Sequence, residues 1–277
     1  MNPYRPPQNE EPDAPFTSGV AVVLTLIAFS LTALFSLLIA TWRKSEAAIG
    51  VGAIGGFAVA FAMGAPLLAG SPAGSLGFTR APARTWVAAA LFVPIALLAS
   101  EIENVIHLWI PRAPAQATES LNPLVALVES VLVAVLVLPA LFEIFFRGLL
   151  QPHLVSNWGS RGSVFGSALL CSLPALLYPR SIAGWLGPAL LASVLRRSSG
   201  SILPGLLLGV LLGVVHVLGS QEVLGIPGFD QTDVAHTPIT WLAPAVLMIG
   251  AGLALCRGEA KPESEPRSAS GGQPPQQ

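Results

Sequence analysis

The 277-residue chain is 53% hydrophobic and only 10% charged, with a formal net charge of −1 and a mean hydropathy of +0.68. A soluble globular chain carries about 25% charge, so a sequence this poor in charge cannot cover its own surface in water. The near-neutral balance leaves no nucleic-acid footprint, and the long Leu/Ala/Val runs lack the even alternation of a membrane barrel. The composition predicts an all-α polytopic membrane helix bundle surrounded by lipid bilayer, with no nucleic-acid partner.

In chain order, residues 1–18 (MNPYRPPQNEEPDAPFTS) are polar and proline-rich, and residues 257–277 are similar. Neither segment can bury enough apolar surface to offset its ordering entropy, so both read as disordered tails. Between them, residues 19–256 form a membrane domain. The leader sets Glu10, Glu11 and Asp13 against Arg5, the wrong charge for a signal-peptide leader. The apolar run from Val20 to Thr41 is therefore an uncleaved first span. Seven further segments follow: Ala47–Ala69, Trp86–Ile110, Leu124–Leu150, Val164–Tyr178, Ile182–Leu195, Ile202–Leu218 and Ile239–Cys256. The fifth and sixth are short and rely on neighbours or tilt. Gly, Pro, Ser and Arg fill the turns, as at SNWGSRGS and RRSSGS. Leu224–Pro238 is an ordered turn between the last two spans. The small residues of GVGAIGG and GLLLGVLLG permit close helix packing.

Eight spans place the N-terminus, the even-numbered loops and the C-terminus on one side. That side holds Arg5, Arg80, Arg84, Arg147, Arg161, Arg196, Arg197, Arg257, Lys261 and Arg267; Arg43, Lys44, Arg112 and Arg180 fall on the other. The bias puts both termini in the cytoplasm, with the chain expected in a prokaryotic cytoplasmic membrane.

Ionisable residues within a bilayer are functional candidates because they are costly to place there. In the fourth span Glu143 and Arg147 are four residues apart, so on a helix they share a face and can pair. Spacing alone also fits a purely structural ion pair. Cys171 and Cys256 lie in apolar runs and form neither a disulfide framework nor a CxxC site. No HExxH occurs and no two histidines have metal-ligand spacing, so the sequence demands no metal or other cofactor.

FEIFFRGLLQ resembles the first signature of the CPBP family, which includes type II CAAX prenyl endopeptidases and bacteriocin-processing or self-immunity proteins. That signature is two glutamates, three residues, then arginine. LGFTRAPAR (Leu76 to Arg84), GSVFGSALLCSLPALLY and ASVLRRSSGSILPGLLLG extend the likeness over about residues 76–218. The resemblance implies a CPBP-type intramembrane protease fold. Its chemistry uses the first glutamate and a histidine to activate water, with a second histidine and an asparagine stabilising the oxyanion. The second glutamate and the arginine support that arrangement.

Aligned on Arg147, this chain departs at each reacting position. The first glutamate falls at Phe142, the second-motif histidine at Ala175, and the third-motif histidine and asparagine at Gly209 and Gly213. The second-motif phenylalanine falls at Cys171. Glu143 and Arg147 survive as the remaining candidate acid and its supporting partner. A relocated outer cluster of Glu129, His216 and Glu101 is conceivable, against the plainer roles of a helix-packing hydrogen bond for His216 and an interfacial acid pair for Glu101 and Glu103. Two functions follow: a non-catalytic relative that binds a membrane peptide or protein partner, or an active intramembrane endopeptidase using Glu143 or displaced residues.

Overall fold

The computed structural model describes residues 17–41, 47–68, 72–109, 123–177, 182–221, 223–229 and 236–257. Among them there is no strand. The expected tails lie outside the described residues except Thr17, Ser18 and Arg257, which belong to helix ends. Arg5, Arg43, Lys44, Arg112, Arg180, Lys261 and Arg267 also lie outside.

The helices are α1 (Ser18–Ala40), α2 (Ala47–Gly64), α3 (Pro72–Leu76), α4 (Ala83–Leu91), α5 (Ile95–His107), α6 (Pro123–Val131), α7 (Leu138–Phe142), α8 (Gln151–Cys171), α9 (Pro174–Leu177), α10 (Ile182–Ser199), α11 (Leu203–Ser220) and α12 (Ile239–Arg257). Among the described residues, five helical stretches are long and apolar enough to cross a membrane: Ser18–Ala40, Ala83–His107, Leu124–Cys171, Leu203–Ser220 and Ile239–Arg257. Ala48–Gly64 is a shorter apolar helix. The protein is an integral membrane helix bundle.

α1 and α2 pack closely because α2 presents glycine. A Cβ on Gly52 or Gly56 would overlap the α1 backbone at Thr32, Ser36 or Ala28. The hydroxyls of Thr25 and Thr32 donate to Ala21 O and Ala28 O, at 2.8 and 2.7 Å, so neither is left unpaired in an apolar helix.

The signature segment is not regular α-helix. Leu132–Val137 and Glu143–Leu150 wind in wider π turns on either side of α7. Pro139 lacks an N–H, and in an α-helix its ring would clash with the carbonyl four residues back, at Val135. That carbonyl lies in the widened stretch.

The turn expected at SNWGSRGS is mostly helical. Its one departure is Gly159, at φ 67° and ψ 175° inside α8. Ser167 Oγ donates to Phe146 O at 3.1 Å, whereas 21 residues of unbroken helix would separate them by about 32 Å. The chain therefore folds back at Gly159, in a conformation that favours glycine.

α10 runs in the same direction as the signature segment. Arg147 Nη2 donates to Ala189 O at 2.7 Å and Gln151 Nε2 to Ser193 O at 2.9 Å, both at an offset of 42 residues. Arg196 Nε returns a bond to Arg147 O at 3.1 Å. Two apolar cores flank this seam. One gathers α1, α2, the signature segment and α8; the other gathers α4, α10, α11 and α12.

One end of the bundle is basic. The Leu76–Arg84 loop docks there on the turn after α10: Ile202 N donates to Gly77 O at 3.1 Å, and Ser201 Oγ to Thr79 O at 2.7 Å. Gly77 has φ 81°, and a Cβ there would overlap the Arg196 guanidinium, which itself bonds Gly200 O. Cys256, near the end of α12, lies against Ser198 and close to Arg84. Leu24 and Leu149 both abut Gly64, so the start of α1 shares this end with the finish of α12.

Candidate functional site

A cavity of about 870 Å³ opens between α5, the signature segment, α10 and α11. Glu143 and Arg147 lie on its wall, 4% and 1% exposed. Arg147 Nε is 3.5 Å from Glu143 Oε1, so the pair expected from four-residue spacing forms. Arg147 also donates from Nη1 to the Cys171 sulfur at 3.4 Å, tying the signature segment to α8 as well as α10.

Three of the four positions at which the chain departs from the family pattern border this cavity: Phe142, Gly209 and Gly213. Ala175 is buried but not among its lining residues, while Cys171 is. Phe142 is held among aromatic rings, with centroids 5.4 Å from Phe57, 5.4 Å from Trp185 and 5.9 Å from Phe146. A carboxylate in its place would meet ring faces and edges.

α11 lies directly on the signature segment through Gly205, Gly209 and Gly213, one residue per turn. A Cβ on Gly213 would overlap the backbone carbonyl of Ala134, and one on Gly209 would sit 2.8 Å from Pro139 Cβ. A Cβ on Gly205 would overlap Glu143 Oε2. The glycines therefore set the distance between the two helices. A histidine at 209 or an asparagine at 213 has no room without that distance increasing.

The outer cluster drawn from sequence does not assemble. Of Glu129, His216 and Glu101, only His216 lines the cavity. Glu101 turns away: His236 Nδ1 lies 2.7 Å from its Oε1, and Thr237 N donates to its Oε2 at 2.8 Å. Beside it Asn104 Nδ2 donates to Gly228 O at 2.7 Å, so this face of α5 fastens the turn that follows α11. Two residues along a helix rotate about 200°; Glu101 and Glu103 cannot act as a pair on one face. Glu103 instead borders the cavity with His107, four residues on, and its Oε1 accepts from Gly184 N at 3.2 Å. Sequence reasoning missed this stripe, although Ala96, Ala99, Ser100, Glu103 and His107 recur at helical spacing.

Among the described residues no three or more His, Cys, Asp or Glu side chains converge to hold a metal ion.

The comparison with family models matches residues 124–215 to "Type II CAAX prenyl endopeptidase Rce1-like". No curated protein and no solved structure matches. The matched stretch runs from α6 through the signature segment, α8 and α10 into α11, most of the cavity wall outside α5, and it supports membership of the CPBP family of CAAX-protease-like membrane proteins.

Proposed function

We propose that this protein keeps the CPBP scaffold as a non-catalytic binding module, holding a membrane peptide or another partner rather than cutting it. One arrangement carries the reading: the chamber persists while the four positions that carry hydrolysis in the family pattern hold residues unable to perform it. Water attack on an amide needs a base, worth about 10²–10⁴ in rate, and an oxyanion donor, worth about 10²–10³. Phe142, Ala175, Gly209 and Gly213 supply neither. The basic end of the bundle is assigned to the cytoplasm of a prokaryotic cell, with both termini there.

A second reading, an active endopeptidase, is favoured by one observation. Glu143 borders the cavity, and its buried Oε2 has no hydrogen-bond partner, as in a carboxylate not committed to a structural bond. Purified wild-type protein beside Glu143→Gln, in detergent and in liposomes, separates the two. The expected result is no cleavage of peptides or lipidated CAAX substrates above background by either. Cleavage by the wild type that the substitution abolishes would overturn the proposal and make Glu143 the base.

A further inference from the structure

Arg80, Arg84, Arg161, Arg197 and Arg257 lie at the basic end and enter no ion pair among the described residues. The described carboxylates are elsewhere. Glu143 faces Arg147, Glu129 is on α6, and Glu101 and Glu103 lie toward the far end of the span that Arg84 begins, roughly 25 Å of helix away. All but Arg161 converge on one corner. There Cys256 of α12 touches Ser198 of α10 and lies close to Arg84 at the start of α4; Arg257 follows Cys256 and Arg197 precedes Ser198. Arg80 is brought in by its backbone. Thr79 Oγ1 donates to Gly200 O at 3.2 Å, and Thr79 O accepts from Ser201 Oγ at 2.7 Å, which fixes the loop on the turn after α10. Arg161 is carried by α8, which belongs to the other core.

Like charges gathered without a counter-charge repel, yet these are anchored on packed helices and a hydrogen-bonded loop. The corner is therefore preorganised for an anion. Guanidinium groups present paired donors in a fixed fork that matches phosphate oxygens. The flank decides what the phosphate is attached to. Arg80, Arg197 and Arg257 are exposed. Beside them Phe78, on the docked loop, is 44% exposed, and Trp86 and Val87, one turn into α4, are 36% and 53% exposed. Tryptophan is favoured at the level of lipid headgroups. A soluble phosphate would engage the arginines alone, whereas a phospholipid engages them and lays its acyl chains on this apolar face.

We infer that this corner binds the headgroup of an anionic phospholipid, its phosphate received by the arginines at the meeting of α4, α10 and α12 while its acyl chains run past Trp86 and Val87. The site is separate from the cavity, and the inference holds whether the cavity binds a partner or cuts one.

Native mass spectrometry of the full-length protein in detergent tests it, with titrations of dioleoyl phosphatidylglycerol and dioleoyl phosphatidylcholine. Phosphatidylglycerol should fill one saturable site at least about tenfold more tightly than phosphatidylcholine, whose choline cation offsets its phosphate. Arg197→Gln and Arg257→Gln should each weaken phosphatidylglycerol binding about fivefold. Arg161→Gln removes the same charge from the same end but outside the corner, and should change binding by less than about twofold. The three arginines are exposed, and melting temperatures equal to wild type check that each variant folds; the comparison of headgroups on wild type stands without any variant. Inorganic phosphate and glycerol 3-phosphate should leave the lipid bound. Equal binding of the two lipids, an equal loss with Arg161→Gln, or displacement by either soluble phosphate would overturn the inference. So would tighter lipid binding after Glu259, Glu263 and Glu265 are changed to glutamine, since the chain's own acidic tail would then be the occupant.

Discussion

Arg147 is the residue on which most of the seam depends. It faces Glu143, donates to the Ala189 carbonyl and to the Cys171 sulfur, and accepts through its own carbonyl from Arg196. Truncating it strands a buried carboxylate and an unpaired carbonyl together, a class of change that costs about 3–5 kcal/mol. Arg147→Ala should sharply lower the yield of folded protein and its melting temperature in detergent, and Arg147→Ala with Glu143→Leu should recover part of the loss. Unchanged melting in the single variant would show that the pair holds nothing together. Spacing made this pair legible, because four residues on any helical turn bring the groups together. The partners at Ala189 and Cys171 were not legible, since main-chain acceptors on another helix leave no mark in a sequence.

At the scale of elements, the contact of α11 with the signature segment is set by backbone approach at Gly213 and Gly209. Gly213→Asn drives a side chain into the Ala134 carbonyl. Overpacking of this kind typically costs about 1–3 kcal/mol, and a rigid carbonyl offers less relief than a side chain. Gly213→Asn should therefore lower thermal stability, while Gly250→Asn on α12, where a Cβ meets open space, should cost far less. Equal effects would mean that helix propensity rather than packing is being measured. The helices themselves were readable from apolar runs. The π turns and the Gly159 reversal were not: the widening at Val135 accommodates Pro139 inside a packed span, and the reversal comes from a lone glycine in a helical sequence. The α5 cavity stripe was obscured by treating Glu101 and Glu103 as neighbours, when helical rotation sets them on opposite faces.

Over the whole molecule, α1 starts and α12 finishes at the same, basic end, the arrangement that the proposed even number of crossings calls for. Single cysteines in the first and last tails should react with impermeant thiol reagents only after cells are opened; reaction in intact cells would invert or break the proposed topology. The resemblance is supported at this scale over residues 124–215, and the Leu76–Arg84 loop, the signature and the turn after α10 meet at one end. What the resemblance could not convey is how tightly the third-motif helix now lies. The glycine contact bears on reversibility. A lineage acquiring a histidine at 209 or an asparagine at 213 would meet the steric cost at once, with no gain until the opposing helix had receded. On the non-catalytic reading, proteolysis could return only along a path that loosens the bundle first, so the fit between these two helices would work as a ratchet on the protein's own history.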